Sequence, residues 1–204
     1  MTVHASENKK LSIKNLLNLV RDGFSHVSSS KKHSDKVSII DCLMSGLAMF
    51  SLKMPSLLYF DNHRNEEIIK HNLQNLYGVQ SAPCDTYMRE RLDLVDPQEL
   101  RPAFKSIFRE LQRGKVLESY RFMGERYLVS FDGTGFFSSN TIHCANCCER
   151  HHQNGSITYH HQMLNAVIVH PDHKEVFPLC PEAIIKQDGT HKNCLLYTSD
   201  AADE

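Results

Sequence analysis

The chain lacks an apolar run long enough to cross a bilayer. Its longest apolar stretch, residues 42–58, is broken by Ser45, Gly46, Ser51, Lys53 and Pro55, whereas a spanning helix needs about 20 consecutive apolar residues. The opening MTVHASENKK lacks the charged-then-apolar order of a secretory signal. No internal repeat is visible. Net charge is also nearly absent: 23 lysines and arginines face 24 acids, for −1 overall. Seven cysteines, an odd number, are poorly suited to a paired disulfide framework. Three of them crowd into residues 144–148, which suits a reducing compartment and a metal-type cluster. What is present is a globular composition, 41% hydrophobic and 23% charged over 204 residues. That is enough for one good core or two modest domains.

The charge is unevenly spread. Through Arg121 there are 18 lysines and arginines against 14 acids; from Phe122 on there are 5 against 10. A mildly basic front before an acidic back fits a nucleic-acid-binding module joined to a metal-binding one, although small asymmetries of this kind are common. The last eleven residues, CLLYTSDAADE, share no pattern with what precedes them. They resemble a translation of the mosaic-end adapter used in transposase-based sequencing libraries. The native sequence is therefore expected to end near Asn193, with residues 194–204 a poorly packed, non-native tail. The chain is then expected to be a fragment of something longer.

Apolar periodicity predicts helices first. Residues 11–20 are amphipathic, and 25–35 form a polar linker. Ser34 or Asp35 is a candidate cap for a helix carrying Val37, Ile39, Ile40, Leu43, Met44 and Leu47, ended or kinked by Pro55. Residues 65–76 make a third helix, with Gly78 its stop. Ser81 or Asp85 starts a short helix through Leu92. Asp96-Pro97 starts another, with Leu100, Phe104, Ile107, Phe108 and Leu111 as its stripe. Two helices joined by residues 93–96 resemble a helix-turn-helix. Tyr87, Arg89, Arg91, Arg101, Lys105, Arg109 and Arg113 are then exposed groups available to DNA phosphates, or plain solvated helix faces.

After Arg121 the period changes to two. Strands are expected over residues 127–132, 162–170 and 174–179, with Pro171-Asp172 turning the last two into a hairpin. The expected division is a helical region to residue 123, then a sheet region over 124–193.

Two constellations carry chemistry. Asp132 closes the apolar run Tyr-Leu-Val-Ser-Phe and is followed by GTGFFSSNT. It is either a hairpin tip or a carboxylate delivered at a strand end, with Gly133 and Gly135 clearing room for a ligand. A carboxylate so placed suits Mg²⁺, which prefers oxygen ligands. The second constellation is His143, Cys144, Cys147, Cys148, His151 and His152, then His160 and His161. Cys144-x-x-Cys147 has the spacing of a zinc knuckle's first pair. His151 or His152 follows at four to five residues, with Cys148 a further candidate. Thiolates and imidazoles suit Zn²⁺; the alternative is a polar loop. Asp188 is more readily a turn residue than a ligand.

The segments FDGTGFFSS, IHCANCCERHH and ITYHHQMLNAVIVHPDHKEVFPLCPEAIIKQDGTHKN resemble, in order, the start of the catalytic core of insertion-sequence transposases of the DDE superfamily. The resemblance covers roughly residues 43–193. It implies an α+β chain: a helical DNA-binding region, then the first three antiparallel strands of a ribonuclease-H-like core. It implies that Asp132 is the first catalytic acid, one of three carboxylates holding two Mg²⁺ or Mn²⁺ ions for phosphoryl transfer. The second aspartate and the glutamate are expected beyond this chain, so the fragment is expected to be inactive. The partner implied is transposon-end DNA, handled in the bacterial cytoplasm, with a homo-oligomer in the complete enzyme and no membrane. Two other functions compete: a zinc-stabilised nucleic-acid-binding module without catalysis, and a helical DNA-binding protein with no enzymatic descent.

Overall fold

The computed structural model describes residues 11–28 and 37–184. The chain falls into two compact units, Met1–Val116 and Leu117–Glu204. Their described parts are α+β, with six α-helices and a six-stranded antiparallel sheet. Asp188 and the adapter-like tail lie outside the described residues.

The first unit is helical: α1 (Ile13–Phe24), α2 (Ile39–Ser51), α3 (Leu57–His63), α4 (Glu67–Asn75), α5 (Asp85–Leu92) and α6 (Arg101–Arg113). Serine hydroxyls start three of them, accepting orphan amide protons of the first turn. Ser12 accepts from Asn15, Ser38 from Asp41 at 3.0 Å and Ser56 from Tyr59 at 3.1 Å. The cap of α2 is thus Ser38, not Ser34 or Asp35, which lie outside the described residues. Pro55 does follow the end of α2, but Ser56 restarts a short helix that apolar periodicity did not reveal.

The core gathers Phe24, Met44, Ala48, Phe60, Leu73, Tyr77, Val79, Met88 and Ala103. Gly23 lets α1 approach α6: a Cβ there would lie 2.7 Å from Ala103 Cα. Asp41 is the buried polar anchor. Its carboxylate accepts the backbone N–H groups of Gln80 and Ser81, each at 3.3 Å, and stands 3.6 Å from Arg21. A buried carboxylate needs such donors to offset its lost hydration.

The non-helical link between α5 and the next helical turn is residues 93–96, as expected. A 3-10 turn, Pro97–Leu100, follows the Asp96 cap before α6 begins at Arg101. The cation row is corrected. Arg89, Lys105, Arg109 and Arg113 are exposed, but Tyr87, Arg91 and Arg101 are half-buried. Tyr87 donates to the Val37 carbonyl at 3.1 Å, and Arg101 Nε donates to Gln98 Oε1.

The second unit is built on two long strands. They are β2 (Arg126–Ser139) and β4 (Ile157–Val169), with short β1 (Arg121–Phe122), β3 (Cys148–His151), β5 (Phe177–Pro178) and β6 (Glu182–Ile184). One edge of β4 is paired along most of its length by β2. The other is shared in turn by β3, β6 and β5. Three strand expectations change. The first strand does not end at Asp132 but runs seven residues further, passing Gly133 and Gly135 and absorbing a bulge between Gly135 and Phe137. The second begins at Ile157 rather than 162. The expected third strand, 174–179, shrinks to the two residues of β5 after the Pro171-Asp172 turn, and β6 is a further short strand beyond it.

Because directly paired residues of an antiparallel ladder share a face, the register sorts this sheet. One face carries Ile168, Ile184 and Cys148, all buried, with Phe131 and Leu164. The other carries Ser130, Asp132, Thr134 and Phe137 on β2, opposite Val167, Asn165, Met163 and His161 on β4. Asn165 donates to the Thr134 hydroxyl at 3.1 Å.

Candidate metal centre

Between β2 and β3 the chain makes an excursion that returns through a tight turn. The Cys147 amide donates to the Cys144 carbonyl at 3.2 Å, and the Cys144 amide donates to Cys147 Sγ at 3.3 Å. The turn brings both sulfurs to the same point, 3.7 Å apart. His161 completes the group from β4, with Nε2 at 3.3 Å from each sulfur. Among the described residues these three form the one cluster with ligand atoms close enough to share an ion, all within 4.8 Å of one another.

The size of the triangle is informative. Tetrahedral zinc with Zn–S of about 2.3 Å and Zn–N of about 2.0–2.1 Å sets the sulfurs about 3.8 Å apart and each sulfur about 3.6 Å from the nitrogen. The observed edges fall within about 0.3 Å of those values. The surroundings hold the ligands in place. The His161 ring has Phe136 nearly parallel to it at 5.8 Å and Phe137 tilted against it at 5.7 Å. Cys147 is buried and Cys144 exposed. Burial is the largest cause raising the Cys147 thiol pKa, so its proton is held until a metal or base removes it.

Of the expected zinc ligands, Cys144 and Cys147 come together; Cys148, His151 and His152 do not. Cys148 opens β3 and alternation turns it to the opposite face, where its thiol donates to the Ile184 carbonyl at 3.5 Å. His151 Nε2 lies 3.2 Å from Glu149 Oε2. His152 Nε2 meets the Thr158 hydroxyl at 2.8 Å, and that hydroxyl donates to Asn140 at 2.9 Å. His161 belonged to the recognised constellation but not to the expected ligand set. The signal for it was the His160-His161 pair itself: two neighbours in a strand face opposite sides, so one of them must share the face of the cysteine turn.

Asp132 stands at the middle of β2, directly opposite Asn165, and is exposed. It is therefore neither a hairpin tip nor a strand end, since the ladder continues on both sides of it. It lies on the same face as His161, four residues further along β4, a separation of about 13 Å.

Among the DNA-contact candidates, Arg89 is exposed but pairs with Asp85 at 3.7 Å, and Arg113 pairs with Glu110 at 2.8 Å. Lys105 and Arg109 are exposed one turn apart on α6. None of these cations lines the helical unit's cleft of about 230 Å³, which is bordered by Arg64, Lys70, Gln74, Gln80 and Ser81.

Comparison with protein-family models, with curated proteins and with solved structures finds no match for this chain.

Proposed function

We propose that this chain is part of a DDE-superfamily transposase, with Asp132 its first metal-binding carboxylate and Zn²⁺ at Cys144, Cys147 and His161 as a structural staple. The observation that carries the catalytic half is the setting of Asp132. It is an exposed carboxylate on a long strand whose antiparallel partner β4 is bordered in turn by the short strands β6 and β5. That is the opening order the transposase resemblance implies. The observation that carries the zinc half is the Cys₂His triangle of tetrahedral size.

An exposed carboxylate is a fitting oxygen ligand for Mg²⁺, but one alone holds the ion weakly, because Mg²⁺ gives up its waters reluctantly. Bound by three carboxylates, a pair of such ions would supply an activated attacking oxygen and stabilise the leaving one. What the chain itself contributes is a rigid mount. Asp132 sits in a continuous ladder, with Thr134 and Asn165 hydrogen-bonded beside it, rather than on a loop. The exposed cations Arg89, Lys105 and Arg109 are the groups offered to DNA phosphates, and their contribution weakens as salt rises.

The test uses a longer chain that adds the second aspartate and the glutamate. Asp132→Ala there abolishes Mg²⁺-dependent cleavage of transposon-end DNA while leaving end binding nearly intact. Cleavage at a near-normal rate would overturn the catalytic role.

A second function, a zinc-stabilised nucleic-acid-binding module without catalysis, is favoured by one specific observation. Among the described residues the Cys₂His group is the only metal-type cluster, and it contains no carboxylate.

A further inference from the structure

Three protein ligands leave tetrahedral zinc one short, and structural zinc sites are normally closed by a fourth side chain. We propose that His143 is that fourth ligand, making the site Cys₂His₂. The proposal rests on zinc occupying the Cys144–Cys147–His161 triangle.

His143 immediately precedes Cys144, and its ring stacks on Tyr159 with centroids 4.2 Å apart and planes 18° apart. Tyr159 lies two residues before His161, hence on the same face of β4. The stack therefore holds an imidazole on the face of β4 that carries His161, outside the present triangle. His143 is exposed, and its Nδ1 has a contact of 3.3 Å with the Thr141 carbonyl, at the long end for a hydrogen bond.

The other nearby ligands are placed elsewhere. Cys148 and His160 lie on the opposite face of the sheet, and His152 is tied to Thr158 at 2.8 Å. Glu149 shares the face, directly opposite Tyr159, but its carboxylate meets His151 at 3.2 Å. As a hard oxygen donor it is also the poorer match for a thiolate-rich site.

The experiment is titration of the purified chain with Co²⁺ as a spectroscopic stand-in for zinc, followed by zinc competition. The wild-type chain should give the intense visible bands of tetrahedral thiolate-bound cobalt. His143→Ala should bind the ion more than about 100-fold more weakly, beyond the 10–100-fold typical of losing an outer-shell partner. Its bands should weaken as water enters, and added imidazole should restore them. Glu149→Gln should match the wild type. Wild-type affinity and spectrum in His143→Ala, or the loss appearing in Glu149→Gln instead, would overturn the assignment. Failure of the wild-type chain to bind either ion would sink the zinc reading itself.

Discussion

Metal binding at Cys144 and Cys147 should depend steeply on pH. The ion binds thiolates, so each thiol protonated in the free protein loses its proton on binding. A free cysteine has a pKa of about 8.5, and burial holds the Cys147 thiol above the ordinary range. While both thiols are protonated, affinity should therefore rise about 100-fold per pH unit. Stability follows with opposite signs in the two forms. A group whose folded pKa is raised contributes stability that is present below its unfolded pKa and lost as pH rises through the folded one. The metal-free unit should thus weaken as pH climbs above about 8.5, while the metal-loaded unit gains from the same deprotonation. Competition with a chromophoric chelator, repeated in steps from about pH 7 to about pH 8, reads the affinity slope. A slope of ten-fold per unit throughout would mean one thiolate ligand, and no slope would mean an oxygen site; either would refute the Cys144–Cys147 pair.

Two further outcomes follow from the packing. Gly23→Ala should destabilise the helical unit by about 1–3 kcal/mol, because the added Cβ meets the Ala103 backbone at 2.7 Å; a lowered melting temperature in a thermal scan checks this, and an unchanged one would mean that α1 and α6 separate freely. Cys148→Ala should keep one zinc per chain by elemental analysis while Cys147→Ala loses it, since the Cys148 thiol points to Ile184 on the other face.

Much of this architecture was legible where burial dictates the residue pattern. The stripes around Met44, Leu73 and Leu100 marked helices because one face of each must meet the core. Alternation marked the strands over Val129 and Ile168. Where glycine interrupts that pattern, it misleads. Gly133 and Gly135 read as the end of a strand, yet the ladder runs through them to Ser139, because its hydrogen bonds need no side chains. β3 was hidden for another reason. Cys-Glu-Arg-His has no apolar alternation, and the chain is a strand there because β4 offers it an unpaired edge. The metal site followed suit. A short spacing found Cys144 and Cys147, but His161 comes from a strand fourteen residues beyond Cys147, and only the pairing of β2, β3 and β4 brings it near. Local spacing favours His151 and His152, four and five residues after Cys147, over a histidine on a distant strand.

The most direct test of the metal centre is zinc X-ray absorption on the purified, zinc-loaded chain. The account predicts two sulfurs at about 2.3 Å and nitrogen at about 2.0–2.1 Å from the ion. A shell of three or four sulfurs would bring Cys148 or another thiol into the site, and a shell of oxygen alone would remove Cys144 and Cys147 from it. Either result would contradict the Cys144–Cys147–His161 centre.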